Sequence, residues 1–273
     1  MPARLIMRPP SEAMRRALSS HPERDRIDPV RAAGQHARYV AALITTGVDV
    51  HLLPADPELP DACFTWDAVL AFAPPSGGET ALLVACRPGE PARRNEVAPV
   101  FACARKVIGH KVDAMAIEPP GTLDGGDVIT YGDRVAIGVS ARTNDAGARQ
   151  LAGAVQQLGY RAFLCPVSGR LHLASAITPI GPARLVGTGG GFASLDAAGE
   201  DVAPRDEVER ILLADDDVVA ANVLAVDDRC FVASGHPRAV ALMREAGEDV
   251  VEVELDEFIR ADGGPTCLVA PIP

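Results

Sequence analysis

A cysteine lies close to the C-terminus in Asp262-Gly263-Gly264-Pro265-Thr266-Cys267. Adjacent glycines let the backbone approach a ligand closely, and a loop of this kind can present a thiolate to it. Cysteine attacks only as thiolate, so it needs a partly exposed setting that is electropositive or hydrogen-bonded. The commoner fate of a lone cysteine is that of a small buried hydrophobe. His172, in Leu171-His172-Leu173, is the second candidate. Histidine carries protons near neutral pH, although apolar flanks also suit a histidine satisfied within a core. One cysteine with a distant histidine is a recognised pattern for nucleophilic catalysis. The other five cysteines, Cys63, Cys86, Cys103, Cys165 and Cys230, stand in apolar contexts and read as core.

Carboxylates gather in two segments. One runs Pro60-Asp61-Ala62-Cys63-Phe64-Thr65-Trp66-Asp67, the other Gly121-Thr122-Leu123-Asp124-Gly125-Gly126-Asp127. The Asp-Gly-Gly-Asp run fits a turn, and it could equally aim carboxylates at a cation. Arg87 and Arg142 each follow an apolar strand-like run, where a guanidinium fork could meet a substrate carboxylate. Such arginines are more often solvated surface residues. Gly187-Thr188-Gly189-Gly190-Gly191 lacks the lysine and spacing of a phosphate loop and reads as a turn. No His/Glu cluster has metal-ligand spacing.

The elements that must position these residues fit an ordinary globular chain. Apolar residues make up 48% and charged residues 23% of 273 positions, enough to bury a sizeable core. A net charge of −11 disfavours nucleic acid as a partner. It suits a cationic small substrate, although acidity more often serves solubility. The cysteines form no CxxC pair, which disfavours zinc-ribbon and thioredoxin-like chemistry. Dispersed cysteines and an N-terminal apolar run of only residues 5–7 point to a reducing cytoplasm without a signal peptide. No apolar stretch approaches the roughly 20 residues of a membrane helix.

Asp28-Pro29 is an N-cap followed by proline at the first helical position. Tyr39, Val40, Leu43 and Ile44 then mark one apolar face, and Gly47 ends the helix. A second helix is expected over residues 144–158, with Ala148, Leu151, Ala152, Val155 and Leu158 on one side and Gly159 as its stop. A larger pattern recurs: apolar strand, polar turn, helix, glycine, strand. Copies begin at residues 82–86, 134–139 and 229–233, and residues 47–53 look like the tail of a fourth. Such repeats mean stacked or circular units. Alternating strands and helices also fit an open doubly wound sheet, and periodicity does not separate the two.

Taken together, these segments resemble the dimethylarginine dimethylaminohydrolases, within the guanidine-modifying group that also holds arginine deiminases and amidinotransferases. The matching pieces, in family order, are Pro60-Asp61 with Phe64-Thr65-Trp66-Asp67, Arg87-Pro88-Gly89 with Arg93-Arg94, and Pro120-Gly121-Thr122-Leu123-Asp124-Gly125-Gly126-Asp127. Then come Ser140-Ala141-Arg142-Thr143-Asn144, Leu171-His172-Leu173, Ala221-Asn222, and Asp262-Gly263-Gly264 with Cys267. The resemblance implies an α/β fold, a five-bladed pseudosymmetric propeller formed by residues 1–273 as a single domain, with the site in its central channel.

It also implies roles. Cys267 would be the nucleophile, His172 the acid–base residue, and Asp124 the group that orients and charge-stabilises His172. Asp61 and Asp67 would hold the guanidinium, and Arg87 and Arg142 the amino-acid carboxylate. Leu18 would cover the substrate. The implied reaction hydrolyses N-methylated arginine to citrulline and methylamine or dimethylamine through a covalent thiouronium on cysteine, with no metal or organic cofactor. The expected partner is a small guanidine substrate, not nucleic acid or membrane, with a homodimer left open as the assembly state. Alternatives that keep the scaffold are an arginine deiminase, a hydrolase of another modified arginine, an amidinotransferase, and a non-catalytic binding protein. Where relatives commonly carry Glu-Asp, this chain has Trp66-Asp67. Trp66 is therefore expected either to pack behind the site or to form one of its walls, offering a π-face to a methylated cation.

Overall fold

One supersecondary unit is used five times. In the computed structural model, which describes residues 4–109 and 111–273, each unit is a three-stranded sheet. Its middle strand pairs antiparallel with one neighbour and parallel with the other. A parallel pair needs a long crossover, and in every unit a helix supplies it. β1 Arg4–Met7 leads through α1 Pro29–Ile44 to the parallel strand β2 Asp49–Leu52. β3 Val69–Phe72 pairs antiparallel with β4 Ala81–Ala85, and α2 Val97–Ile108 crosses to β5 Val112–Ala116. The third unit is β6 Val128–Tyr131, β7 Arg134–Val139, α3 Asp145–Gln157 and β8 Arg161–Pro166. The fourth is β9 Ile177–Gly181, β10 Arg184–Thr188, α4 Gly189–Asp196 and β11 Glu209–Leu213. The fifth is β12 Leu224–Val226, β13 Arg229–Ala233, α5 Pro237–Glu245 and β14 Asp249–Val253. The last strand, β15 Ala270–Ile272, returns to pair antiparallel with β1. The two ends of the chain thus complete one sheet.

The local signals explain the helices. The Asp28 side chain accepts from the Val30 and Arg31 amides, and Gly47 follows α1 with φ of 87°. Tyr39, Val40 and Leu43 are buried as the apolar face requires, but Ile44, the last residue of the helix, is exposed. Asn144 caps α3, whose buried side is Ala148, Leu151, Ala152 and Val155. The glycine run expected to be a turn differs. Thr188 caps Gly191, and α4 begins at Gly189. Gly191 has no room for a side chain: a Cβ there would lie 2.3 Å from the Ala176 carbonyl.

Alternate side chains of the strands face opposite neighbours, and this links the units. Ile6, Ala270 and Ile272 pack with Val69 and Leu83. Leu70, Phe72 and Val84 pack with Val128 and Ile137. Ile129 and Tyr131 pack with Ile177 and Leu185. Ile180 and Val186 pack with Cys230 and Val232. Leu224 and Phe231 pack with Leu5 and Met7. The shared clusters lead from sheet to sheet and back to the first. Strands β3, β6, β9, β12 and β15 all line a cavity of about 580 Å³, whose lining carries no charged side chain among the described residues. No helix of the described residues is long and apolar enough to cross a membrane.

Candidate active site

A 3₁₀ turn precedes the antiparallel edge strand of each sheet: Thr65–Asp67, Gly125–Asp127, Leu173–Ser175, Asp215–Ala221 and Thr266–Leu268. Each turn carries or adjoins a polar residue, in order Asp67, Asp124, His172, Asn222 and Cys267. Neighbouring turns touch, so residues far apart in sequence meet at one end of the structure. A small pocket there is lined by Asp61, Asp67, Arg93, Arg142, His172 and Cys267, with Leu18 and Phe64 among the apolar walls.

His172 and Asp124 are both buried, with Nε2 of the imidazole 3.1 Å from Asp124 Oδ2. Asp124 is held from three sides. Its Oδ1 accepts from the Gly89 amide at 2.8 Å, its own amide donates to Thr143 Oγ1, and an Arg142 guanidinium nitrogen lies 3.8 Å from Oδ2. Burial works against a charged His172, but Asp67, the Asp124 hydrogen bond and Asp127 outweigh it and raise the imidazole to about 9. Asp67 accepts from the Gly126 amide on Oδ1 and from Arg93 on Oδ2, at 2.8 and 2.7 Å. Burial opposes its charge, yet His172 and Arg93 win and hold Asp67 below the usual carboxylate range. Asp61 accepts from the Leu18 amide, and burial pushes its carboxyl up.

The Cys267 thiol is pushed up to about 11, first by burial and then by the nearby Asp67 charge. A positive charge is what this thiol needs to ionise. Its loop is closely packed. A Cβ on Gly264 would lie 2.5 Å from Asn222 Oδ1, so glycine is required for the approach. Over the pocket, residues 18–20 are stitched from Asp61, through the Leu18 amide, to Arg260 and Asp262, through Ser19 and Ser20. The pocket itself is narrow, about 20 Å³, close to the room one water needs.

No family model matches the chain. The dimethylarginine dimethylaminohydrolase of Streptomyces coelicolor is 34% identical over 268 residues, covering 96% of this chain and 94% of the relative. That of Pseudomonas aeruginosa is 30% identical over 266 residues, 97% of each chain. The chain belongs to the dimethylarginine dimethylaminohydrolase family. A solved structure of the Pseudomonas dimethylarginine dimethylaminohydrolase, a cysteine-to-serine mutant complexed with citrulline, superimposes with a TM-score of 0.85 at 28% identity over 99% of both chains. The N-terminal domain of ArgZ, an arginine dihydrolase from cyanobacteria, shares the fold with a TM-score of 0.82 at 20% identity.

In this dimethylarginine dimethylaminohydrolase family member, the structure bears on three of the expectations. Arg87 is not among the pocket-lining residues. Its Nη1 donates to the Gly121 carbonyl at 3.0 Å, so at least one arm of the fork braces the loop that carries Asp124. Of the two placements open to Trp66, packing behind the site is the one found, and it is not a wall of the Cys267 pocket. Its turn is 3₁₀ rather than strand, and the indole lines the large central cavity, with Nε1 donating to the Gly125 carbonyl at 2.7 Å. Cys103, expected in the core, is only partly buried.

The structure also adds residues. Arg93 is buried between Asp67 and Glu96 and reaches the Phe64 carbonyl, so it neutralises the carboxylates behind the pocket. Removing one partner of such a buried pair typically costs about 3–5 kcal/mol. Asp127 accepts from Leu173 N and Ser140 Oγ, fixing the turn that follows His172. The Arg-Arg pair and the second aspartate of Asp-Gly-Gly-Asp were visible signals without an assigned task. Asp67, Asp124 and His172 place ligand atoms within 4.8 Å of one another, a cluster that sequence spacing alone did not suggest. Hydrogen bonds already engage all three.

Proposed function

We propose that residues 1–273 form one domain, a five-bladed α/β propeller, that hydrolyses N-methylated arginine to citrulline and methylamine or dimethylamine. The observation that carries this reading is the meeting of a cysteine, a histidine and two aspartates, Asp61 and Asp67, in one pocket. Two carboxylates suit a planar cation, and the nucleophile and proton donor stand beside it.

The roles follow from the local electrostatics. Asp67 and Asp61 take the guanidinium and set its orientation. Arg142 and Arg87 take the α-carboxylate, Arg87 keeping one nitrogen on Gly121. The incoming cation stabilises the Cys267 thiolate, and the thiol proton leaves to solvent. Sγ attacks the central guanidine carbon. His172, protonated because its value is raised to about 9, delivers its proton to the departing amine. A thiouronium then remains on Cys267, dividing one difficult displacement into two easier steps. Neutral His172 next takes a proton from water as the oxygen adds to the same carbon; collapse of this adduct breaks the C–S bond, and the remaining hydroxyl proton passes to the departing sulfur, which restores the Cys267 thiol and leaves citrulline. Asp124 holds the imidazole throughout. The pocket as it stands offers only about 20 Å³, less than an amino acid needs, so side chains at its mouth such as Leu18 move aside for entry.

The test is incubation of the purified protein with dimethylarginine, monomethylarginine and arginine, with citrulline as the readout. The expected result is release from the methylated substrates. Release from none of the three refutes the reading.

A further inference from the structure

We propose that Trp66 is a positioning residue that sets the His172–Asp124 pair from the face of the catalytic layer opposite the substrate. This rests on the hydrolase reading above. The inference begins with two bonds that cross between neighbouring turns. The Trp66 indole N–H donates to the Gly125 carbonyl at 2.7 Å, and the Gly126 amide donates to Asp67 Oδ1 at 2.8 Å. Trp66 and Asp67 are adjacent, as are Gly125 and Gly126, so the two bonds clamp one turn to the other. Asp124 immediately precedes the clamped pair.

Packing makes the clamp directional. A Cβ on Gly125 would lie 2.0 Å from the Trp66 carbonyl oxygen and 2.6 Å from its Cδ1. One residue later, a Cβ on Gly126 would lie 2.6 Å from His172 Nδ1 and 3.0 Å from Asp67 Oδ1. The glycine pair is therefore a thin wedge with Trp66 against one residue and His172 against the next. Any shift of the indole passes through two residues without side chains to the imidazole and to the carboxylate that holds it. Trp66 itself lines the central cavity and not the Cys267 pocket. Its effect on the reaction must then be indirect.

This predicts a split that a substrate wall would not produce. Trp66→Phe keeps an aromatic ring and removes the N–H. We expect kcat to fall about 3- to 10-fold, the range for loss of one well-formed hydrogen bond. KM should stay within about twofold, and the loss should be equal for dimethylarginine and arginine, within the same factor. With Asp124 held less firmly, His172 loses part of what raises it. The alkaline limb of the kcat profile should move to lower pH.

Trp66 is the sole tryptophan, so a second variant is available if Trp66→Phe folds poorly. Feeding the benzothienyl isostere of tryptophan replaces the indole N–H by sulfur at this position alone. The His172 titration is followed by proton NMR in the wild type and either variant, its signal assigned by loss in His172→Ala. A lowered His172 midpoint supports the proposal, and it does so even if the wild type releases no citrulline, a result that would sink the functional reading instead. An unmoved midpoint with only a lower Tm overturns the proposal. So does a change confined to KM or to the ratio of the two substrates.

Discussion

Asn222 grips Thr266 at two points: its side-chain oxygen accepts from the Thr266 amide at 2.9 Å, and its amide nitrogen donates to Thr266 Oγ1 at 2.7 Å. The same nitrogen donates to the Ala174 carbonyl, two residues beyond His172. One buried amide thereby ties the cysteine turn to the histidine turn. Asn222→Ala leaves a buried N–H and carbonyl without partners, which typically costs about 1–3 kcal/mol each. We expect a lower Tm and a lower kcat, with KM much less affected. Thermal unfolding and initial rates of citrulline release check both. A variant that is less stable but turns over at the wild-type rate removes Asn222 from the positioning of Cys267.

Cys267→Ser should abolish turnover and leave the fold intact. Serine is a far weaker nucleophile without a strong base beside it, and His172 is charged at neutral pH. The wild-type thiol, raised to about 11 by burial and Asp67, should ionise well above an ordinary cysteine. Ultraviolet difference absorbance of the wild type against Cys267→Ser measures this midpoint. A thiolate already formed at neutral pH in the ligand-free protein would remove the need for the substrate's charge.

His172 links activity to pH with a definite sign. Its folded value of about 9 lies above histidine's ordinary 6.5, so the folded chain binds the proton more tightly than the unfolded one. The corresponding contribution to stability is complete below about 6.5 and is lost as pH rises through about 9. As the proton donor to the amine, His172 should also make kcat fall above about 9. His172→Ala should lower kcat on the order of 10²–10⁴-fold. Denaturant unfolding and rates, both taken from pH 6 to 10, check these effects. A His172→Ala variant that keeps its rate but loses affinity would make His172 a binding residue.

Arg142 and Arg87 should differ in degree. Arg142 lines the pocket, whereas Arg87 spends one nitrogen on Gly121. Arg142→Ala leaves a substrate carboxylate without its cation, a loss of roughly 1.5–3 kcal/mol in binding. We expect that loss in KM for methylated arginine and not for a guanidine lacking the α-carboxylate. Arg87→Ala should give a smaller KM effect together with lower stability. Equal losses for both kinds of ligand would show that neither arginine reads the carboxylate.

What the sequence determined by itself was local. Asp28-Pro29 and Asn144 set where α1 and α3 begin, because a capping side chain reaches only two or three residues ahead. Glycines such as Gly47 end helices because their backbone tolerates positive φ. The residue types able to do chemistry, Cys267, His172 and the two aspartate segments, were also readable, as was the resemblance that ordered them. Tertiary structure alone decided which of them meet. Asp67, Asp124, His172, Asn222 and Cys267 come together because clusters shared between sheets run in a closed series and β15 pairs with β1. No local propensity encodes that closure. The same holds for the side on which Trp66 lies. A 3₁₀ turn gives no alternation of faces, so its indole went to the central cavity and Asp67 to the pocket. Likewise the glycine run at α4 looked like a turn because glycine is a poor helix former, and the close approach of Gly187 and Gly191 to Ala176 and Ile177 is a contact that nothing within the run itself announces.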